Sequence, residues 1–184
     1  MKKECAILFD MDGVLVDSEP ALAQVASEAF RAMDIPANPE DFTPYIGTGE
    51  DTYLGEVVRK YGHEYDPEIK DRVYDLYIKE AEKYVNTFPG TLDLLNTLKS
   101  KGIKMAIVSS ADLIKVEANL KALGFSDFTS IVTGSDIERK KPFPDIYLLA
   151  ANKIGIEPAN CMVVEDAIAG IESGNGAGMI TIGY

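Results

Sequence analysis

Tryptophan is absent from this chain of 184 residues, histidine occurs once and cysteine twice. The lone histidine, His63, sits in a Gly-His-Glu turn and reads as a solvated surface residue, not a catalyst. Cys5 and Cys161 are isolated and show no metal-ligand spacing, which fits a reducing compartment. Long apolar runs are missing as well. Nothing approaches the ~18–20 residues of a membrane span, so no membrane partner is expected. The apolar stretch between Glu4 and Asp10 is too short for a signal-peptide core and reads as a strand in a cytoplasmic protein. Basic residues are scarce, 18 against 30 acidic ones, a net charge of −12. A surface this acidic repels nucleic acid and anionic lipid, and both drop out as partners. There are no repeats and no low-complexity segments.

What is present suffices for a folded core. The hydrophobic share of 46% excludes intrinsic disorder. At roughly 150 residues per domain, the length suits one domain, or one domain with a sizeable insertion. A chain of this size buries about 70% of its extended surface, so no disulfide or structural metal is needed.

Charge and pattern change together at two places. Between Ser18 and Phe88 there are 15 acidic and 7 basic residues, a net of −8. Outside that stretch, short apolar runs alternate with helical periods. The runs are CAILFD (5–10), MAIVSS (105–110), SIVTGSD (130–136), CMVVED (161–166) and MITIGY (179–184), with amphipathic segments near 91–101, 112–123, 144–154 and 167–174. Strands alternating with helices predict βαβ crossovers and a parallel sheet buried on both faces. Between Ser18 and Phe88 no comparable strand occurs. Ser18-Glu19-Pro20 signals a helix start with Ser18 as cap. Apolar residues recur at helical spacing from Ala21 to Phe30, a shorter helix is expected over Asp51–Tyr61, and Asp66-Pro67 opens a long one reaching Tyr84. The expected architecture is α/β, a Rossmann-like parallel core flanked by helices (1–17 plus 89–184), with an all-helical insertion (18–88) after its first strand.

Asp10-Met11-Asp12-Gly13 directly follows the first strand. A strand end and turn would use the same residue types, but three further features stand at or just beyond the ends of other core strands. Ser109-Ser110 closes the second, Lys141-Pro142 follows the third and Glu165-Asp166 closes the fourth. In open α/β sheets the carboxyl ends of the strands line the ligand crevice. Two aspartates, hydroxyls, a lysine and an acidic pair meeting there suit metal-assisted phosphoryl transfer. A carboxylate can attack phosphorus to form an aspartyl-phosphate. Magnesium takes oxygen ligands such as Asp10 and Asp166. A lysine and a serine hydroxyl can bind the phosphoryl oxygens, and the second aspartate can protonate the leaving oxygen and then deprotonate the attacking water.

These four motifs, in this order, resemble those of the haloacid dehalogenase superfamily, in its β-phosphoglucomutase-like branch with a helical cap inserted after the first motif. The resemblance covers essentially the whole chain. It implies Asp10 as nucleophile, Asp12 as general acid/base, Ser109, Ser110 and Lys141 as phosphate-binding groups, and a Mg2+ site made of Asp10, Glu165, Asp166 and the Asp12 backbone carbonyl. Within that cap, Gly47-Thr48-Gly49-Glu50 links two helices and is too glycine-rich to be helical, so it is expected to hang as a loop over the site and set specificity.

The departures from the branch are informative. A cap arginine gripping a distal phosphate is expected two residues after Thr48, where Glu50 stands, and the histidine of the mutase's first cap helix is replaced by Leu22. Both favour hydrolysis over the mutase alternative. Asp12 argues against carbon–halogen cleavage, and Lys60, Lys70, Lys79 and Lys83 fall in no pattern that marks a Schiff-base lysine. Gly174-Asn175-Gly176-Ala177-Gly178 precedes a strand and reads as a turn, not a dinucleotide loop. The expectation is a monomeric, cytoplasmic, magnesium-dependent phosphatase acting on a small phosphorylated metabolite. An inorganic pyrophosphatase and a non-catalytic regulatory module retaining the fold are the further alternatives. The sequence ends directly after the fifth core strand, where relatives continue, so a truncated form with an exposed sheet edge is also expected.

Overall fold

The computed structural model describes residues 4–46 and 49–184. Strand β1 (Ala6–Phe9) leads into a two-residue strand β2 (Val16–Asp17), then helices α1 (Glu19–Arg31), α2 (Glu50–Lys60) and α3 (Pro67–Tyr84). The chain returns through β3 (Asn86–Thr87) to α4 (Thr91–Ser100), β4 (Lys104–Val108), α5 (Leu113–Leu123) and β5 (Ser130–Val132). It closes with α6 (Asp145–Ile154), β6 (Cys161–Glu165), α7 (Ile168–Gly176) and β7 (Ile180–Gly183). The strands β5-β4-β1-β6-β7 form a five-stranded sheet in that order, and every pairing within it is parallel.

Alternation along the strands explains why helices cover both faces. Ala6, Leu8, Ala106 and Val108 point into one apolar cluster with Ile146, Tyr147 and Ala150 of α6. Ile7, Phe9, Met105 and Ile107 point into the other, with Leu95 of α4 and Val116 of α5. A period of two on a sheet buried from both sides demands apolar residues at every position. Each fully buried side chain of this size contributes about 1.5–3 kcal/mol.

The helices between β2 and β3 do not keep a core to themselves. Phe30, Phe42, Tyr53, Leu54, Val57, Val73 and Tyr77 belong to the same cluster as Phe9 and Val116. Phe42 packs its ring 5.5 Å from that of Phe30 and 5.0 Å from that of Tyr53. A helical segment of this length has too little interior to stand alone, so it shares the sheet's. Helix α3 lies against α5, and Tyr77 Oη donates to Asn119 Oδ1 at 2.7 Å across that contact.

Two features differ from the sequence expectation. A short antiparallel ribbon, Val16 opposite Thr87 and Asp17 opposite Asn86, forms where the helical segment leaves and rejoins the core. Strands of two residues carry no periodic signal, so nothing in the pattern announces them. A 3-10 helix, Pro39–Tyr45, precedes α2. No helix among the described residues is long and apolar enough to cross a membrane.

Candidate active site

Register brings the motifs to one level. Phe9 lies opposite Ile107 of β4 and Val164 of β6, so Asp10, Val108 and Glu165 follow side by side at the carboxyl ends. Beyond β1 the chain doubles back over residues 11–16, with Leu15 N–H donating to the Met11 carbonyl at 3.0 Å and Gly13 N–H to that of Val16 at 2.8 Å. That reversal sets the Asp12 carboxylate beside the end of β4. It requires glycine at 13. Gly13 has φ +85°, and a Cβ there would lie 2.1 Å from Asp166 Oδ2.

The side chains form two linked networks. In the first, Lys141 Nζ donates to Asp10 Oδ1 at 2.6 Å, to the Val108 carbonyl at 3.2 Å and to Glu165 Oε1. Glu165 also accepts from Tyr147 Oη at 2.8 Å and from the Ala167 N–H at 3.2 Å. Its carboxylate is therefore held from three directions, which fixes the lysine's aim. Gly170 makes room for it, since a Cβ at that position would fall 1.9 Å from the Glu165 carboxyl carbon. Asp10, Glu165 and Asp166 offer oxygens within 4.8 Å of one another. Burial, opposed by Lys141 but reinforced by Glu165 and Asp12, raises the Asp10 carboxyl to about 7. Burial and then Glu165 also raise Asp166. For Lys141, burial favours the neutral amine, but Asp10 and Glu165 outweigh it and hold the ammonium charged.

In the second network, Asp12 Oδ1 accepts from Asn119 Nδ2 at 2.9 Å and from Ser18 Oγ, and lies 3.3 Å from Lys115 Nζ. Ser109 Oγ donates to Asp12 Oδ2 at 3.5 Å and accepts from the Ala111 N–H at 3.1 Å. Ser110 lines the same cavity, whose volume is about 630 Å³ and which lies between the strand ends and α1, α2 and α3.

Each described residue singled out from the sequence lines this cavity: Asp10, Asp12, Ser109, Ser110, Lys141, Glu165, Asp166, Gly49 and Glu50. Gly47 and Thr48 lie outside the described residues. Glu50 corrects one expectation. It belongs to the first turn of α2, not to a glycine-rich loop, and it pairs with Lys115 Nζ at 3.4 Å. Ser18 is a second correction. It occupies the cap position of α1 but makes no cap hydrogen bond, because its hydroxyl is turned to Asp12. His63 is exposed.

Sequence reasoning missed Lys115, Asn119 and Tyr147. A signal for the first two existed. Lys115, Asn119 and Leu123 fall at i, i+4 and i+8 on the buried face of α5, where polar residues need a structural reason.

The donor set suits a hard divalent cation. It is all oxygen, it concentrates carboxylates that burial alone would neutralise, and Asp166 remains exposed toward the cavity. Fold and site together define a hydrolase of phosphate esters. The chain belongs to the haloacid dehalogenase-like hydrolases, whose family model matches residues 6–178. It is 43% identical over 183 residues to the chloroplastic protein SUPPRESSOR OF QUENCHING 1 of Arabidopsis thaliana, covering 96% of this chain but only 17% of that protein. Phosphoglycolate phosphatase of Escherichia coli K12 is 30% identical over 200 residues, covering 96% of this chain and 79% of that enzyme. Among solved structures, CbbY from Rhodobacter sphaeroides in complex with phosphate matches with a TM-score of 0.81 at 28% identity, covering 96% of this chain and 84% of that one.

Proposed function

We propose that this chain is a magnesium-dependent phosphatase that hydrolyses a small phosphate monoester through an aspartyl-phosphate on Asp10, with residues 18–88 acting as a cap over a core formed by the rest. The observation that carries the reading is the buried pairing of Asp10 with Lys141 in the lining of a cavity that also holds Asp12 and Asp166.

The chemistry follows from the positions. An Asp10 oxygen attacks phosphorus and the ester P–O bond breaks, its electrons leaving with the alkoxide. Asp12, two residues along the turn, delivers the proton that makes the leaving group an alcohol. Lys141 and the Ser109 hydroxyl hold phosphoryl oxygens, and backbone N–H groups near Ala111 add to them. A water then attacks the aspartyl-phosphate, Asp12 takes its proton, and phosphate departs with Asp10 restored. Bound magnesium, held by Asp10, Asp166 and the Asp12 carbonyl with Glu165 adjoining, supplies charge neutralisation between the nucleophile and the anionic substrate.

Selectivity toward simple monoesters rests on the cavity's charge. Eight carboxylates and four lysines line it. Two of those lysines, Lys115 and Lys141, are already committed to buried ion pairs. A second phosphate on the substrate would meet net negative charge. Leu22 adds only apolar surface where the branch's mutase carries a histidine, so hydrolysis is favoured over isomerisation.

A panel of several dozen phosphorylated metabolites, assayed with magnesium and with EDTA, tests this reading. Release of phosphate from one or a few monoesters, dependent on magnesium and lost in Asp10→Asn, is the expected result. Efficient isomerisation of β-glucose 1-phosphate would restore the mutase alternative.

A further inference from the structure

Lys115 is the most deeply buried cation at the cavity, with 5% of its side chain exposed. It stands on the first turn of α5, a core helix, yet its two carboxylate partners come from different parts of the fold. Asp12 Oδ1 lies 3.3 Å away on the turn after β1, and Glu50 Oε1 lies 3.4 Å away on α2. A second ion pair stands three residues earlier with the signs reversed. Asp112 Oδ2 lies 3.1 Å from Lys70 Nζ of α3, which also reaches Asp51 of α2 at 3.4 Å. The start of α5 thus presents a carboxylate and an ammonium, and the helical segment meets each with its opposite.

From this arrangement we infer that Lys115 is a positioning residue that couples seating of the helical segment to placement of Asp12. It rests on the reading of Asp12 as proton donor and acceptor. With the segment seated, Glu50 and Asp12 share one ammonium, and Asn119 and Ser18 complete the hold on the aspartate. With the segment lifted, Lys115 loses one partner and Asp12 loses the Ser18 hydroxyl, which stands at the foot of α1. The acid is then aimed only when the cavity is closed over a substrate. Burial makes the coupling strong. A buried ammonium costs several kcal/mol to desolvate and is retained only where carboxylates compensate it. Here they do so to the point that Lys115 stays charged well above the usual lysine range, despite burial.

The experiment compares leaving groups. An aimed acid matters for an alkyl phosphate such as glycerol phosphate and little for p-nitrophenyl phosphate, whose leaving group needs no proton. Lys115→Met is expected to lower kcat about tenfold or more on glycerol phosphate and less than about threefold on p-nitrophenyl phosphate, and to add nothing further in an Asp12→Asn background. Lys115→Arg keeps the charge and is expected to restore most of the selectivity between the two substrates. Glu50→Gln leaves the Lys115–Asp12 pair intact, so it serves if Lys115→Met does not fold. It is expected to raise KM about fivefold, to speed amide exchange in α2, and to shift the ratio of the two substrates in the same direction as Lys115→Met but by less. Equal losses on both substrates in Lys115→Met, or an unchanged ratio in Glu50→Gln although α2 exchanges faster, would overturn the coupling alone. Absence of any phosphatase activity in the wild type would overturn the functional reading and the coupling with it.

Discussion

Lys141 Nζ lies 2.6 Å from Asp10 Oδ1, and the two residues are 131 positions apart in the chain. The contact joins the end of β1 to the loop before α6, with the Glu165 carboxylate behind it. Lys141→Met keeps the length of the side chain and removes the charge. kcat/KM is expected to fall about a hundredfold or more. Stability is expected to fall by about 3 kcal/mol, because Asp10 and Glu165 are left buried without their cation. Steady-state kinetics below the melting temperature and chemical denaturation check the two effects separately.

Asp10 links pH to metal binding. Its folded value, raised to about 7, exceeds the unfolded value of 3.8, so the folded state binds the proton more tightly. The metal-free protein therefore holds this contribution in full below about pH 4 and loses it as pH rises toward 7. Magnesium, which binds the ionised form, is expected to raise the melting temperature more at pH 8 than at pH 5. In Asp10→Asn the slope of metal-free stability between those values should flatten. Calorimetry across the range, with and without millimolar magnesium, gives the answer.

Two glycines of α7 separate site geometry from helix propensity. A Cβ on Gly170 would fall 1.9 Å from the Glu165 carboxyl carbon, whereas one on Gly176 would meet nothing closer than Pro144 at 3.6 Å. Glu165 cannot simply swing aside, being tied to Lys141, Tyr147 and Ala167. Gly170→Ala is expected to cost about 1–3 kcal/mol and most of the activity. Gly176→Ala is expected to be neutral or to gain up to about 1 kcal/mol. Denaturation midpoints and a single activity assay distinguish the two.

Asp41 ties the 3-10 helix before α2 to the end of α2. It accepts from the Asn38 N–H at 2.8 Å, from Tyr61 Oη at 2.7 Å and from Lys60. The Asn38 N–H first, then Lys60 and Tyr61, hold its carboxyl down to about 2. A depressed carboxyl contributes stability above its unfolded value of 3.8, and that contribution disappears as pH falls toward 2. Asp41→Asn is expected to cost about 1 kcal/mol at neutral pH and nothing at pH 2. Amide exchange at residues 50–60, compared at the two pH values, shows the difference.

Much of this arrangement was legible in the residues themselves. CAILFD, MAIVSS and CMVVED announced buried parallel strands because continuous apolar runs have few other uses in a chain of this composition. Position then did the rest, since Asp10, Ser109 and Glu165 each stand where a strand ends and register makes the ends coincide. The partners of Asp12 were harder to see. Lys115 and Asn119 lie on α5, in a stretch whose apolar spacing already marked it as a helix, and two polar residues on its inner face look like interruptions until the fold sets Asp12 against them. Tyr147 reads as core from its spacing and proves to hold Glu165 by its hydroxyl. Glu50 shows no sign of its ion pair in the sequence, because Lys115 is 65 positions away.

The central claim is that phosphate passes through Asp10, and rapid quench with radiolabelled acetyl phosphate tests it most directly. The wild-type chain, mixed with acetyl phosphate and magnesium and stopped in acid, is expected to carry label up to one phosphate per chain, released by hydroxylamine and mapped to the peptide containing Asp10. Asp10→Asn is expected to carry none and to turn over nothing. Hydrolysis at the wild-type rate by Asp10→Asn, with no label on either protein, would contradict the account.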